Sequence, residues 1–106
     1  VNGSMEVTGD ITAFASSDLT LKENVNPIID ALQKVNLISG NTYDWNNTSP
    51  REGSETGVIA QEIKQLGLPG VVKLREDNTY GVRYERLVPL LIEAIKELSS
   101  KVDALS

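Results

Sequence analysis

Serine and lysine are the side chains through which this sequence could carry out covalent chemistry. The chain has 106 residues with neither cysteine nor histidine, which excludes disulfides, thiolate chemistry and the usual general base. A serine hydroxyl becomes a good nucleophile only when a base takes its proton, and a lysine made neutral by burial can be that base. Serine with lysine is a known variant of the serine nucleophile. The oxyanion would need backbone N–H donors, which the sequence does not identify.

Length and charge exclude several other classes of protein. The chain is long enough for one compact domain, and its start without a methionine indicates a fragment of a longer protein. Ten basic and 15 acidic residues give a net charge of −5 at pH 7. Because the basic residues are scattered, we expect no nucleic-acid partner. No apolar run approaches the roughly 20 residues of a membrane span, and we expect neither a metal nor another cofactor.

The elements that would position any reactive group begin with an extended segment. Residues 1–16 alternate loosely between apolar and polar side chains with glycines between them, which predicts short strands. Residues 16–23 have no stable period and are predicted to form an irregular connector. Functional residues often lie in such connectors.

Two short helices are predicted in the middle of the chain. Asn26 and Pro27 predict a helix start, since asparagine caps free N–H groups and proline is tolerated at the first helical position. That helix would continue to about Val35. A second helix is predicted over Gly57–Leu66, with Gly67 closing it in the left-handed conformation.

Strands are predicted around these helices. Thr42–Trp45 has the composition of a strand, and the polar stretch Asn46–Thr56 is predicted to be an exposed loop. Val71–Leu74 and Tyr80–Tyr84 predict a hairpin that turns at residues 77 and 78.

The C-terminal segment has the most regular pattern. Its apolar residues recur at steps of three and four, which is the heptad pattern of a helical seam: Val88, Leu91, Ile95, Leu98, Val102 and Leu105. Pro89 falls near the helix start, where its missing N–H costs little. The spacing of Glu97 and Lys101 predicts an ion pair.

The heptad pattern does not show what packs against this seam. A helix of this length is marginal alone, so something must cover the apolar side chains. They could pack on the domain's own sheet or on other copies of the chain. Branched residues at one seam position with leucine at the other favour two strands, so the seam alone does not indicate three.

Three blocks of sequence together resemble one known family. The blocks are SSDLTLKENVNPI at residues 16–28, GVIAQEI at residues 57–63 and VRYERLVPLLIEAIKEL at residues 82–98. Their order and spacing resemble the peptidase S74 type of intramolecular chaperone, found at the C-terminal end of phage tail fibres, tailspikes and endosialidases. The resemblance covers residues 16–106.

The resemblance implies a self-cleaving chaperone. Its catalytic serine and lysine fall on Ser17 and Lys22, and the cut falls beside Ser17, at the Ser16–Ser17 bond. Residues 1–16 would be the end of the fibre stem and residues 17–106 the chaperone. Three copies of the chain, each with its stem, would form a homotrimer in the host cytoplasm, and the chaperone would leave the virion after cleavage. Gln61 is a candidate support residue.

The five-residue spacing of Ser17 and Lys22 fits neither one face of a helix nor one face of a strand. They must meet through an irregular turn, or a lysine from a neighbouring chain must reach across. The alternative without chemistry is that Ser17 and Asp18 merely start a turn.

Together, the patterns and the resemblance indicate an α+β fold. We expect a small sheet, three helices of which the long C-terminal one forms a trimeric helical core, and a short N-terminal β stem segment. Rival functions are a receptor-binding tip that stays attached, a trimerisation tag with an inactive site, and a cellular relative that releases a transcription factor from a membrane protein.

Overall fold

The computed structural model describes residues 14–106. The predicted β stem segment at residues 1–16 therefore lies outside the described residues, apart from Phe14, Ala15 and Ser16, which form no helix or strand. The remainder is an α+β fold, as expected. Three helices, α1 (Ala31–Val35), α2 (Ala60–Lys64) and α3 (Val88–Leu105), occur with two small antiparallel sheets.

The first sheet is a hairpin of β1 (Asn41–Asp44) and β2 (Ser54–Gly57). The predicted loop at Asn46–Thr56 is therefore too long, because its last residues form β2. Trp45 N–H continues the ladder by donating to the carbonyl of Gly53 at 3.0 Å. The first three residues of β2 are exposed, which explains why their polar sequence resembles a loop.

The second sheet confirms the predicted hairpin. Strands β3 (Val72–Leu74) and β4 (Tyr80–Val82) pair antiparallel, and Asn78 adopts a left-handed φ of 67° in the turn. The Asp77 carboxylate accepts the backbone N–H of Thr79 at 3.0 Å. This small polar turn connects the two strands without glycine, since asparagine tolerates the left-handed conformation.

Helix α1 begins later than predicted, because the local start signal is not used. The Asn26 side chain donates to the carbonyl of Asn24 at 3.0 Å rather than capping a helix. The first N–H groups of α1, at Ala31 and Leu32, instead donate to the Glu97 carboxylate of α3 at 2.7 and 3.1 Å. The predicted pair of Glu97 with Lys101 is therefore wrong: Glu97 faces the domain.

A small apolar core joins α1, α2 and α3. Its buried residues are Ala31, Ile63, Leu66, Val71, Leu87, Leu90 and Ala94. Helix α2 is shorter than predicted, but Gly67 has the expected left-handed φ of 70°. The core thus holds three short segments against one side of the long helix.

Helix α3 has two apolar faces, of which the domain covers one. Leu90 and Ala94 are buried against the rest of the chain. The six residues of the predicted seam lie elsewhere on the helix and are between 45 % and 88 % exposed. Within residues 14–106, nothing covers the seam, so packing on the chain's own sheets does not explain it.

No helix in the described part of the chain is long and apolar enough to cross a bilayer.

Candidate functional site

Ser17 and Lys22 meet in the structure through a tight local turn. Leu19–Leu21 form one turn of 3-10 helix, in which Lys22 N–H donates to the carbonyl of Leu19 at 3.0 Å. This geometry returns the Lys22 side chain toward the start of the turn, and its Nζ donates to Ser17 Oγ at 2.8 Å. Ser17 precedes the N-cap residue Asp18 and Lys22 is the C-cap residue, so the two side chains lie on either side of this turn and meet across it.

Asp18 holds this turn closed. Its carboxylate accepts the backbone N–H of Thr20 at 2.9 Å and the Thr20 hydroxyl at 2.8 Å. These two bonds hold the pKa of the Asp18 carboxyl below its ordinary value of 3.8 because they favour the ionised form, and the bond from the backbone N–H has the larger effect. Asp18 therefore caps the turn that carries the serine and the lysine.

The Ser17–Lys22 turn is exposed to solvent in the single chain. Every residue from Phe14 to Pro27 is exposed, including the large apolar side chains of Leu19 and Leu21. A lysine takes a proton only in its neutral form, which burial favours. The turn brings the two side chains into contact, and nothing within residues 14–106 excludes water from them.

Among the described residues, no hydrogen bond joins Gln61 to the Ser17–Lys22 turn. It lies exposed in α2. The neighbouring Glu62 is the residue that makes contacts, accepting the backbone N–H of Ser39 at 2.9 Å and its hydroxyl at 2.8 Å. These contacts attach the start of α2 to the segment before β1.

The second and third sequence blocks meet at Gly57 and Tyr84, a contact that sequence reasoning missed. The backbone N–H of Val58 donates to the Tyr84 hydroxyl at 2.9 Å. A Cβ atom at Gly57 would clash with that hydroxyl and lie 3.2 Å from the hydroxyl of Tyr43. A glycine at this position is a general signal of a close neighbour, but the sequence does not show which residue that neighbour is.

Among residues 14–106, no group of three or more acidic side chains is gathered as a metal site would require. The chain contains no histidine or cysteine to add ligands.

Comparison with known proteins gives a match to one family and to two tail fibre proteins. Residues 17–73, more than half of the chain, match the peptidase S74 family model, described as the chaperone of endosialidase. The chain is also 36 % identical over 98 residues to the long tail fiber protein Gp37 of Enterobacteria phage K3 and to that of Enterobacteria phage T2. These matches cover 87 % of this chain but only 8 % and 7 % of the two fibre proteins.

Proposed function

Since the chain belongs to the peptidase S74 family, we propose that it is a chaperone domain that trimerises a phage tail fibre and then releases itself by cleavage beside Ser17. The observation that carries the proposal is the 2.8 Å contact between Lys22 Nζ and Ser17 Oγ. It lies at the start of the family match, where a cut would separate the chaperone from a preceding stem.

The proposed cleavage uses the serine on the peptide bond that precedes it. Neutral Lys22 takes the proton of Ser17 Oγ while that oxygen attacks the carbonyl carbon of Ser16. The C–O bond forms as the Ser16–Ser17 C–N bond breaks, and the proton passes from Lys22 to the freed amino group. Water then hydrolyses the ester, which leaves a carboxylate on Ser16 and restores the hydroxyl of Ser17.

The same-chain contact supports cleavage in cis. A mixed experiment tests this point: a Ser17→Ala chain is co-expressed with a Lys22→Ala chain, and the mixed oligomers are purified. Cleavage in cis predicts no product, because neither chain carries both groups. Product from the mixed oligomers would show that a lysine reaches across from a neighbouring chain.

Trimerisation is proposed to occur through the exposed seam of α3. The six seam residues would be buried by two further copies, and burial of apolar surface stabilises by about 25 cal/mol per Å². Stem chains whose contacts lie between subunits need their ends brought together first, which costs entropy. A domain that trimerises by itself raises the effective concentration of those ends. The chaperone is proposed to act on a fibre precursor assembled in the host cytoplasm.

Cleavage then makes assembly hard to reverse. Once the chaperone has been removed, the intertwined stem can no longer separate by the path along which it formed. The product is therefore stabilised kinetically, by a slow unfolding rate rather than by new contacts.

The proposal is tested by expressing this chain, as wild type and as Ser17→Ala, together with the upstream part of the protein. About 100 upstream residues, roughly the length of one domain, are included. Denaturing gels should show two fragments for the wild type and one full-length band for Ser17→Ala. Identical single bands would refute self-cleavage and leave the non-cleaving trimerisation tag.

A receptor-binding tip is the second candidate function. The loop between β1 and β2 contains an open concavity of about 500 Å³, and the Arg51 guanidinium lies 5.5 Å from the centre of the Trp45 ring. Aromatic and polar side chains around a hollow are common in ligand sites. Mass spectrometry of mature fibres distinguishes the two functions, since a tip must remain attached.

A further inference from the structure

The chain that carries Ser17 and Lys22 is anchored to the domain only after a stretch of exposed residues. Within the part that the structure describes, side-chain hydrogen bonds between residues 14 and 27 are all local. Ile28 is the first partly buried residue and Ala31 the first fully buried one. The point at which the segment carrying Ser17 and Lys22 leaves the domain is therefore set just before and at the start of α1.

Glu97 makes the polar part of this anchor, beside the apolar packing of Ala31. Its carboxylate accepts the N–H groups of Ala31 and Leu32 across 66 and 65 residues of sequence, and the contact is partly buried. The residue before the helix, Asp30, makes no side-chain cap bond and has a left-handed φ of 53°. A charged acceptor on two free N–H groups is a strong form of helix capping, so Glu97 replaces the local cap that α1 lacks.

Glu97 also belongs to the helix that carries the seam. It lies between Ile95 and Leu98, two residues of the exposed seam, but faces the domain. One turn of α3 therefore holds both the surface on which a neighbouring copy would pack and the entry of the Ser17–Lys22 segment. Because both lie on one helix, the seam and the point where that segment joins the domain keep a fixed separation.

We propose that Glu97 is a positioning residue for self-cleavage, which fixes the point at which the segment bearing Ser17 and Lys22 leaves the domain relative to the seam, so that neighbouring copies cover the turn when the trimer closes. This inference rests on the proposed function. Glu97 does not touch the reacting atoms; it acts through the first turn of α1. Without it, the seam can still close, but the start of the segment that carries the turn is no longer fixed beside the seam.

The test replaces the carboxylate with an amide in the chain carrying its upstream stem. In Glu97→Gln, one oxygen remains as an acceptor and the other becomes an NH₂ donor facing a backbone N–H. We expect trimers that cleave roughly ten- to hundredfold more slowly than wild type, because small misplacements of reacting groups cost rates of this order. The rate is measured on purified trimers at one temperature, well below the melting temperature of each variant.

Glu62→Gln is the matched control. Glu62 is also a partly buried carboxylate that accepts a backbone N–H and a second donor, both from Ser39, but it does not touch α1 or the residues before it in any described hydrogen bond. Its loss should lower the melting temperature comparably and leave the cleavage rate of trimers within about twofold of wild type. A purely structural role for Glu97 would slow both variants alike.

The outcomes separate this inference from the proposed function. No cleavage by the wild type refutes self-cleavage itself. If the wild type cleaves, the role of Glu97 is overturned when Glu97→Gln trimers cleave at the same rate as the wild type. It is also overturned when Glu97→Gln and Glu62→Gln are slowed equally. If Glu97→Gln does not assemble, the cleavage rate of Glu97→Asp, which keeps the charge on a shorter side chain, is measured instead. Cleavage of Glu97→Asp trimers at the wild-type rate overturns the inference. Failure of Glu97→Asp to assemble also overturns it.

Discussion

At the scale of single residues, the account depends on a proton moving from Ser17 to Lys22. Lys22→Arg separates charge from basicity, because arginine keeps the positive charge but cannot give up its proton near neutral pH. We expect Lys22→Arg to assemble like the wild type and to lose cleavage by at least about a hundredfold, the lower range for a general base. Gel analysis of purified trimers measures both properties.

Ser17→Ala provides the baseline for that comparison. If Lys22→Arg trimers cleave at the wild-type rate, Lys22 is not the base, whatever its distance from Ser17 Oγ.

Asp18 makes a prediction about acid pH. Its pKa lies below the ordinary 3.8 because the Thr20 backbone N–H and hydroxyl bond the ionised form. Because the pKa is lower in the folded state, the ionised carboxyl stabilises the turn at pH values above the unfolded-state pKa. This stabilisation is lost as the pH falls through the folded-state pKa. In Ser17→Ala, NMR titration should therefore show the Asp18 carboxyl titrating below pH 3.8, together with the Thr20 amide. A midpoint at or above 3.8 would mean that the turn does not form in solution.

At the scale of the elements, Gly57 allows β2 to approach the turn that leads into α3. Gly57→Ala should lower the free energy of unfolding by about 1–3 kcal/mol, the usual cost of forcing an extra carbon into a packed site. The clash is with the Tyr84 hydroxyl, so the same substitution in a Tyr84→Phe background should cost less. Equal costs in the two backgrounds, measured by urea denaturation, would show that this hydroxyl does not limit the space.

The elements also show how far the sequence could be interpreted. Helix α3 and the β3–β4 hairpin are confirmed, since a long heptad pattern and a short polar turn are local signals. The start of α1 was mispredicted because its cap, Glu97, is 66 residues away. The contact of Ser17 with Lys22 could be expected from the resemblance but not from spacing, because residues five apart share a face of neither a helix nor a strand and the tight turn between them has no periodic signal.

At the scale of the whole molecule, the exposed seam of α3 is the proposed trimer interface. Ile95 is 65 % exposed in the single chain, so Ile95→Lys should leave the folded domain intact while placing a charge in the trimer core. We expect this variant to be monomeric by light scattering and, because the turn then stays uncovered, to lose cleavage. Leu74→Lys is the control: Leu74 is 54 % exposed on β3, away from the seam, and its variant should remain trimeric.

A trimer that survives Ile95→Lys unchanged would move the interface away from α3. It would also remove the reason for placing Glu97 between the seam and the Ser17–Lys22 turn.

The most direct measurement of the central claim is the mass of the fragment released from purified trimers of the stem-bearing chain. The account predicts a fragment that begins at Ser17, appears in the wild type and is absent from Ser17→Ala. A fragment that begins elsewhere, or one released equally by Ser17→Ala, would contradict self-cleavage by the Ser17–Lys22 pair.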